Sequence, residues 1–474
     1  MLLFILIIPL IASLLLAFVR NAKLASYISL FVSLVLFVLV CIIWKDFEPG
    51  EIITVNKVWL TSLNLSFTLS IDGISIILLL LTTFLVPLII IATFNNKHQP
   101  AAPLYSLILF MQAALIGVFS VSNILWFYVF YELALIPVYF ICAFWGGENR
   151  ISVTLKFFIY TISGSLLMLA AIIFLYSKLP ANIPFDFEHL KWIALSTREQ
   201  AFVFIAFFIA FAVKIPIFPF HSWQPDTYTV APTSGSMLLA GIMLKMGLYG
   251  IIRLIIPVCI FIIANYNILI LSICVAGVLY AAIIAIKQNH LKRLIAFSSL
   301  SHVGLMAAAL FALTRPAITG AVLQMVSHGV NVIALFMIAE SIYRRTDESD
   351  FTKLGGIAMK VPAFAIISMI VILANVALPL TNSFVGEYLM LFGIFSKLPA
   401  IAIIAGFSII FGAIYMLRVY QKTFYGQDNE IVFEKLSLSE WLVYMPIVAA
   451  IFWIGVYPIP LLRVIEPVVN SMIP

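Results

Sequence analysis

Apolar positions fill the chain in long, nearly unbroken runs that short polar stretches separate. A bilayer-spanning helix needs about 20 consecutive, mostly apolar residues, and fourteen runs approach that length. They lie at roughly 1–19, 25–44, 72–95, 103–121, 123–145, 154–177, 200–226, 235–257, 266–287, 293–313, 317–343, 362–395, 399–424 and 440–462. The pattern predicts an all-α polytopic membrane protein with about 14 transmembrane helices. The first run lacks a basic start and a cleavage site, so we expect a span rather than a removed signal.

Helix-breaking residues interrupt two of these runs. Span seven contains Pro216, Pro219 and Pro225 within ten residues, and each proline removes a backbone donor. Span twelve contains Pro379, which a polar cluster at 381–383 follows. Freed backbone groups at membrane depth are tolerated only where protein buries them or where they line a cavity. The pattern therefore predicts discontinuous helices seven and twelve, with simple kinks as the alternative.

Two similar segments follow the two breaks. Gly247–Arg253 lies 31 residues after Pro216, and Gly412–Arg418 lies 33 residues after Pro379. With five spans in each unit, the two copies would have opposite topology, as in folds that are built from inverted repeats. The expected division is 1–102 for helices 1–3, 103–258 for a first antiporter-like repeat of helices 4–8, 259–425 for a second inverted repeat of helices 9–13, and 426–474 for helix 14.

The composition places the whole chain in the bilayer. It is 64% hydrophobic and only 10% charged, and its mean hydropathy is +1.17. The loops after odd-numbered spans hold fifteen Lys and Arg against nine on the other side, Arg253 among the nine. Because basic loops stay in the cytoplasm, the termini are expected in the periplasm. The net charge of +6 then reflects loop charge, and we expect a lipid bilayer and no nucleic acid as partner.

Cofactor-binding motifs are absent from the sequence. The four cysteines, Cys41, Cys142, Cys259 and Cys274, stand singly in apolar spans, and no Cys-x-x-Cys pair occurs. No glycine-rich phosphate loop occurs between a strand and a helix. The chain is therefore expected to bind no metal and no cofactor.

Six titratable residues lie inside apolar runs. A charge at the bilayer centre costs at least about 2.5–3.5 kcal/mol on insertion scales, so such residues usually face a polar interior and carry protons or ions. We predict that all six transfer protons. They are Glu132, Lys214, Lys245, His302, His328 and Glu387.

For Glu132 and the two lysines, a structural role is the alternative to proton transfer. Glu132 is a plausible partner for Lys214, which stands just before the break in span seven, and the pair could be a static buried ion pair. Lys245 could extend its ammonium to a headgroup, but it lies about ten residues inside span eight, and Gly241 and Gly247 indicate a packed face.

The histidines and Glu387 have polar neighbours. His302 follows Ser298, Ser299 and Ser301, whereas His328 shares one helical face with Gln324, Ser327 and Asn331. A histidine can pass a proton from one ring nitrogen to the other, although neutral histidines held by hydroxyl groups are an alternative. Glu387 follows Pro379 by eight residues.

Four other titratable residues lie nearer to span ends. His221, Asp226 and Glu340 are candidates for a proton-uptake region or for a structural role. Asp72, at the start of span three, is expected to be a solvated helix start.

Several of these stretches together resemble a known family. They are Phe130–Pro137, Lys214–Asp226, Ala231–Ser236, Leu244-Lys245 with Tyr249-Gly250, Lys292–His302 and Asn382–Glu387. They are similar to the antiporter-like subunits of respiratory complex I and of multi-subunit cation/proton antiporters, over about 105–425. Within the family the resemblance favours the subunit M group, equivalent to mitochondrial subunit four, because Glu387 stands where subunits L and N look to carry lysine. Gln224 and Tyr228 depart from the expected motif.

The resemblance implies a proton-translocating membrane subunit of NADH:quinone oxidoreductase in the bacterial inner membrane. Glu132 would modulate Lys214, Lys245 would pass the proton, His302 and His328 would bridge, and Glu387 would be the exit-side site. The implied partners are the other membrane subunits, notably the L and N equivalents, while NADH, flavin, iron–sulfur clusters and quinone would belong to other subunits. The alternatives are a subunit of a sodium/proton antiporter and a membrane subunit of a hydrogenase-type complex.

Overall fold

The computed structural model describes residues 1–60, 65–95, 101–180, 183–427 and 433–473. The first half of the chain forms helices α1 (Leu2–Leu16), α2 (Ala22–Lys45), α3 (Gly73–Ala92), α4 (Ala102–Ser120), α5 (Ile124–Leu133), α6 (Leu135–Trp145), α7 (Arg150–Lys178), α8 (Thr197–Lys214) and α9 (Gln224–Val230). The second half forms α10 (Thr233–Asn265), α11 (Asn267–Lys287), α12 (Leu291–Phe311), α13 (Arg315–Thr346), α14 (Pro362–Asn375), α15 (Asn382–Phe395), α16 (Pro399–Tyr425), α17 (Leu438–Val456) and α18 (Ile459–Met472).

The prediction of a polytopic helical membrane protein is confirmed. Within the described residues, eleven helices are long and apolar enough to cross a bilayer when α5 and α6 are counted as one, and α1 and α14 are shorter apolar helices. Each of the fourteen predicted runs falls on a helix or on a pair of helices. The exact number of crossings and the inverted repeats stay predictions.

Both predicted helix breaks are present. Helix α8 ends at Lys214, and regular helix resumes only at Gln224 in α9. The indole of Trp223 donates to the carbonyl of Val213 at 2.9 Å, which satisfies a backbone acceptor that the break leaves free. Helix α14 ends at Asn375 and α15 begins at Asn382. The prolines therefore interrupt these helices rather than kinking them.

Two elements lie outside the prediction. Strands β1 (Ile53–Leu60) and β2 (Leu65–Ile71) pair antiparallel in a hairpin that precedes α3, in a stretch that was expected to be loop. The last predicted run, 440–462, is divided, because α17 ends at Val456 and the separate helix α18 begins at Ile459. The end of the bundle at which β2 leads into α3 is called the hairpin end below.

Helices α12 and α13 occupy the centre of the bundle. Every position of the most apolar stretch of α13 is buried, and nearly every position of that of α12. Gly320 lets α13 approach α15 closely, because a Cβ there would lie 2.8 Å from the carbonyl oxygen of Gly386. Gln324, Ser327 and Asn331 of α13 contact α15. His328 of the same helix lies between α10 and α12.

Candidate functional site

Lys245, His328 and Ser299 form a buried hydrogen-bonded line across three helices. Lys245 Nζ lies 2.8 Å from His328 Nδ1, and it also donates to the carbonyl of Ala240 at 2.8 Å. His328 Nε2 lies 3.0 Å from Ser299 Oγ. An ammonium group only donates, so a charged Lys245 makes Nδ1 the acceptor and places the ring proton on Nε2. Lys245 and His328 are thus in direct contact, as a proton relay requires.

The backbone around Lys245 departs from a regular α-helix. Within α10, π-helical turns at Leu239–Met243 and Ile251–Ile255 flank the segment that carries Lys245. Such turns occur frequently at functional sites. The first turn includes Ala240, whose carbonyl receives the ammonium. Lys245 is therefore satisfied inside the protein, which excludes the alternative of an ammonium that extends to a headgroup.

His302 and Glu387 continue this line towards α15. His302 Nδ1 lies 2.9 Å from Glu387 Oε1, and the Gln324 amide donates to the same oxygen at 3.2 Å. The centroids of the His302 and His328 rings are 6.1 Å apart. Glu387 is buried, and both of its neighbours come from the central helices. The four predicted residues of the second half thus lie in one cluster.

The predicted polar stripe on α13 contacts the start of α15. Ser327 donates to the carbonyl of Asn382 at 2.8 Å, and Asn382 Nδ2 donates to Asn331 Oδ1 at 3.0 Å. Asn331 in turn donates to Ser383 at 3.0 Å. These bonds tie the start of α15, just after the break, to α13 and so position Glu387 beside His302.

Lys214 lies at the last position of α8, next to the first break. Its Nζ lies 4.8 Å from the centroid of the Tyr131 ring, and it is buried without a hydrogen-bond acceptor among the described residues. The negative end of the helix dipole favours a cation at this position. Gly247 lets α10 pack against the turn after Lys214, because a Cβ there would lie 2.5 Å from Ile215 Cγ1.

Glu132 is half-buried in α5 and close enough to Lys214 for the two charges to interact electrostatically. The described residues contain no direct ion pair between them. The two charges therefore interact without direct contact, and the static buried ion pair stays an alternative to the switch. A separated pair changes its interaction energy when either side chain moves.

The structure places the three candidates near span ends in local networks. Asp226 accepts from Lys156 at 3.0 Å and from Arg293 at 3.2 Å. His221 Nε2 lies 3.3 Å from the hydroxyl of Tyr280. Glu340 accepts from Thr233 and lines a cleft with His290 and Lys292. Burial, together with the charges of Lys292 and Arg293, lowers the pKa of His290 from its usual value.

Sequence reasoning was wrong about Asp72 and Arg253. Asp72 is not a solvated helix start, and Arg253 is not a loop residue. Asp72 Oδ1 pairs with Arg253 Nη2 at 2.5 Å, and their side chains are only 14% and 10% exposed. The position of Arg253, eight residues after Lys245 in one apolar run, was the available signal.

The titratable side chains of the site are not grouped like the ligands of a metal ion in the part of the chain that the structure describes. Among the residues that the structure describes, no group of three or more His, Cys, Asp or Glu side chains could hold a metal ion. The titratable groups of this site are instead arranged as neighbours along a line, each with one or two hydrogen-bond partners.

Comparison with known proteins gives a consistent result. Residues 120–412 match the family model described as NADH:quinone oxidoreductase/Mrp antiporter, TM. The chain is 36% identical to NADH-quinone oxidoreductase subunit M of Rickettsia conorii over 480 residues, covering 98% of this chain and 97% of that protein.

Two solved structures share the fold. A chain of respiratory complex I from Thermus thermophilus with bound NADH superposes with a TM-score of 0.93 at 28% identity, over 100% of this chain and 99% of that chain. A chain of the Mrp complex from Dietzia sp. DQ12-45-1b gives 0.89 at 15% identity, over 99% and 97%, which is a likeness of fold alone. Given the family match and the near full-length identity, the chain belongs to the NADH:quinone oxidoreductase/Mrp antiporter family and groups there with the subunit M proteins.

Proposed function

We propose that this chain is a proton-translocating membrane subunit of NADH:quinone oxidoreductase. In this proposal NADH oxidation and quinone reduction on other subunits drive proton movement here. The single observation that carries the proposal is the buried line from Lys245 through His328 and His302 to Glu387. Such residues at membrane depth are expensive and occur mainly where ions or protons pass.

The geometry supports transfer from Lys245 to His328 in one step. Their nitrogens are 2.8 Å apart, within the distance of a direct proton transfer. When Nδ1 takes the proton, the ring carries a positive charge and Nε2 can give its own proton towards Ser299. The ring thus moves charge from one face of α13 to the other without translating.

The second transfer brings the proton to Glu387. The two imidazole rings are 6.1 Å apart, so ring rotation or a bridging hydroxyl such as Ser299 must span the gap. His302 then hands the proton to the Glu387 carboxylate over 2.9 Å. Gln324 donates to Oε1 of the Glu387 carboxylate, the same oxygen that lies next to His302, and so holds the carboxylate in place.

Lys214 and Glu132 supply the proposed switch of the first half. A buried ammonium without an acceptor is costly, and the negative charge of Glu132 is what offsets that cost. If Glu132 moves away or is neutralised, Lys214 releases its proton towards α10, which packs against the end of α8. The population of the two states then depends on the difference in interaction energy between them.

The setting of this subunit is part of the proposal. It would lie in the bacterial inner membrane with periplasmic termini, beside the equivalents of subunits L and N, and it would hold no cofactor of its own. The two repeats, 103–258 and 259–425, would each contribute one half-channel. Lys245, near the end of the first repeat, would pass the proton to the histidines and Glu387 of the second.

A sodium/proton antiporter subunit is the second candidate function. The likeness to the Mrp complex chain, at a TM-score of 0.89, favours it at the level of fold. The two functions differ in the energy source. NADH-driven acidification in membranes that contain the complex supports the oxidoreductase, whereas sodium-driven proton exchange without NADH supports the antiporter.

The test is Lys214→Ala in the assembled complex, with Lys23→Ala as the matched control on an exposed position. With equal complex content in the membranes, NADH-driven proton translocation should fall below about a tenth of the native value, which corresponds to a barrier increase of at least about 1.4 kcal/mol. Lys23→Ala should translocate normally. Native translocation by Lys214→Ala would remove this lysine from the path.

A further inference from the structure

The buried ion pair of Asp72 and Arg253 joins two helices at the hairpin end. Asp72 Oδ1 accepts from Arg253 Nη2 at 2.5 Å, and it also caps α3 by accepting from the backbone of Ile74 at 3.1 Å and of Ser75 at 3.0 Å. A second nearby contact of Arg253 Nη2 is to Ser75 Oγ, at 3.3 Å. Oδ1 of the carboxylate thus has three donors around it, and a guanidinium group does not give up its proton in proteins.

An aromatic cage lies between this pair and Lys245. The Tyr249 ring contacts Phe119, Phe127 and Phe187, with centroid distances of 5.5, 6.3 and 6.4 Å. The Tyr249 hydroxyl lies 3.0 Å from Ser75 Oγ, and the Arg253 guanidinium lies 4.8 Å from the Tyr249 ring centroid. The rings pack together beside α10. The hydroxyl of Tyr249, the polar group of this cage, is hydrogen-bonded to Ser75.

Lys245, Tyr249 and Arg253 follow one face of α10 at intervals of four residues. At a rise of about 1.5 Å for each residue, Arg253 lies about 12 Å beyond Lys245 towards the hairpin end. Helix α18 covers the outside of this region, because a Cβ at Gly73 would lie only 1.7 Å from the carbonyl oxygen of Val464. The direct way out from Lys245 thus meets aromatic rings, then a fixed ion pair, then packed backbone.

We propose that Tyr249, Ser75, Arg253 and Asp72 form a seal that prevents protons on Lys245 from leaking directly to the hairpin end. The inference rests on the proposed function, since it assumes that protons reach Lys245. With the seal closed, His328 is the one titratable side chain in the described part of the chain that Lys245 contacts directly, so transfer follows the line to Glu387. In this proposal the four residues of the seal block the proton's way, and none of them takes up the proton.

A purely structural role for the pair makes a different prediction. A pair that only ties α3 to α10 would affect assembly or stability and leave each assembled complex tightly coupled. A seal affects coupling itself. The informative quantities are therefore the protons translocated for each NADH oxidised and the passive proton leak of vesicles that contain the complex.

The test is the double variant Arg253→Met with Asp72→Asn in the complete complex, reconstituted into liposomes with a pH-sensitive dye. Removal of both charges avoids an unpaired buried ion, and Asn keeps the helix cap. The expected result is continued NADH oxidation with a several-fold loss of protons translocated for each NADH and a faster passive leak. The same change combined with Lys245→Ala should abolish the added leak, because the leak runs through Lys245.

The control is the buried cluster of Glu440 with Arg344 and Arg345, which joins α13 to α17 rather than α3 to α10. The triple variant Arg344→Met, Arg345→Met and Glu440→Gln removes all three charges and should leave the leak at the native level. If the double variant at the seal fails to assemble, Tyr249→Ala and Tyr249→Phe replace it. Alanine opens the cage and should leak, whereas phenylalanine keeps the ring and should not.

The outcomes separate this inference from the proposed function. Native coupling in both the double variant and Tyr249→Ala, together with lost pumping in Lys245→Ala, would overturn the seal and leave the proton path intact. Normal pumping in Lys245→Ala would instead contradict the proposed path, and the seal with it.

Discussion

Replacement of Glu387 by glutamine separates the two roles that a carboxylate could have at this position. The amide keeps the size of the side chain. It can still accept a hydrogen bond from Gln324, whose Nε2 lies 3.2 Å from Glu387 Oε1 in the native chain. It can also still accept from His302 across 2.9 Å. What it loses is the negative charge and the ability to bind a proton.

The magnitude of an electrostatic role alone follows from hydrogen-bond energies. A hydrogen bond to a charged group contributes about 1.5–3 kcal/mol and a neutral one about 0.5–1.5 kcal/mol. Between the midpoints of these ranges, the substitution weakens the hydrogen bond to a protonated His302 by about 1.25 kcal/mol, or roughly eightfold in the population of the protonated form. If Glu387 itself carries the proton, the loss is larger, because no other acceptor of this kind contacts His302 among the described residues.

The assay is NADH-driven proton translocation in vesicles with matched complex content. The expected result for Glu387→Gln is a loss of more than tenfold, with Glu387→Ala at least as severe and Glu387→Lys retaining part of the native rate because lysine can titrate. Glu466→Gln, on the exposed face of α18, is the matched control and should pump normally. A loss of tenfold or less for Glu387→Gln would refute the carrier role, and native pumping would remove Glu387 from the path.

Three further predictions concern other parts of the chain. Glu132→Gln should lower NADH-driven pumping by a large factor while Glu132→Asp keeps part of it, and full activity of the Gln variant would support a structural role for this carboxylate. Gly386→Ala should destabilise the complex by about 1–3 kcal/mol, measured as a lower thermal-inactivation midpoint. The new Cβ would lie 3.0 Å from Gln324 Cβ and 2.7 Å from Gln324 Oε1, so Gln324, which donates to Glu387, would have to shift. Gly406→Ala, where nothing lies within 4 Å, is its control and should be neutral. The purified subunit should show no flavin, iron or haem absorbance, and retained stoichiometric iron or flavin would contradict the assignment of redox chemistry to other subunits.

The fold was predictable where local chemistry decides it. Long apolar runs identify the spans because each unsatisfied backbone group in lipid costs several kcal/mol. Proline cannot donate, so the interruptions after Lys214 and Asn375 could be located from Pro216 and Pro379. The hairpin before α3 was missed because its alternation stood between two strongly apolar spans.

From the sequence, the types of the site residues and the helix face that carries them could be predicted, but the contacts between residues on different helices could not. Helical spacing placed Gln324, Ser327, His328 and Asn331 on one face of α13, and the structure brings that face against α12 and α15. The pair of His302 and Glu387 joins positions 85 residues apart in the sequence, and periodicity carries no information about which helices become neighbours. Contacts of that kind depend on packing of the whole bundle.

The buried pair of Asp72 and Arg253 illustrates a limit of charge counting. Its members are 181 residues apart, and each stands near the end of an apolar run, where a charged residue is usually assigned to a loop. Two opposite charges that meet inside the bundle can compensate each other, so neither marks the membrane surface. The position of Arg253 inside an apolar run was a signal in the sequence, but the three-dimensional contact is what identifies Asp72 as its partner.

The most direct test of the proton path is His328→Gln. Glutamine can accept from Lys245 with its oxygen and donate to Ser299 with its nitrogen, so it reproduces both contacts of the ring, at 2.8 and 3.0 Å. It cannot bind a proton and release another from its far side. The measurement is the number of protons translocated for each NADH oxidised, in reconstituted complexes with native subunit content. We expect this number to fall well below the native value, and a native number would contradict the proposed proton path.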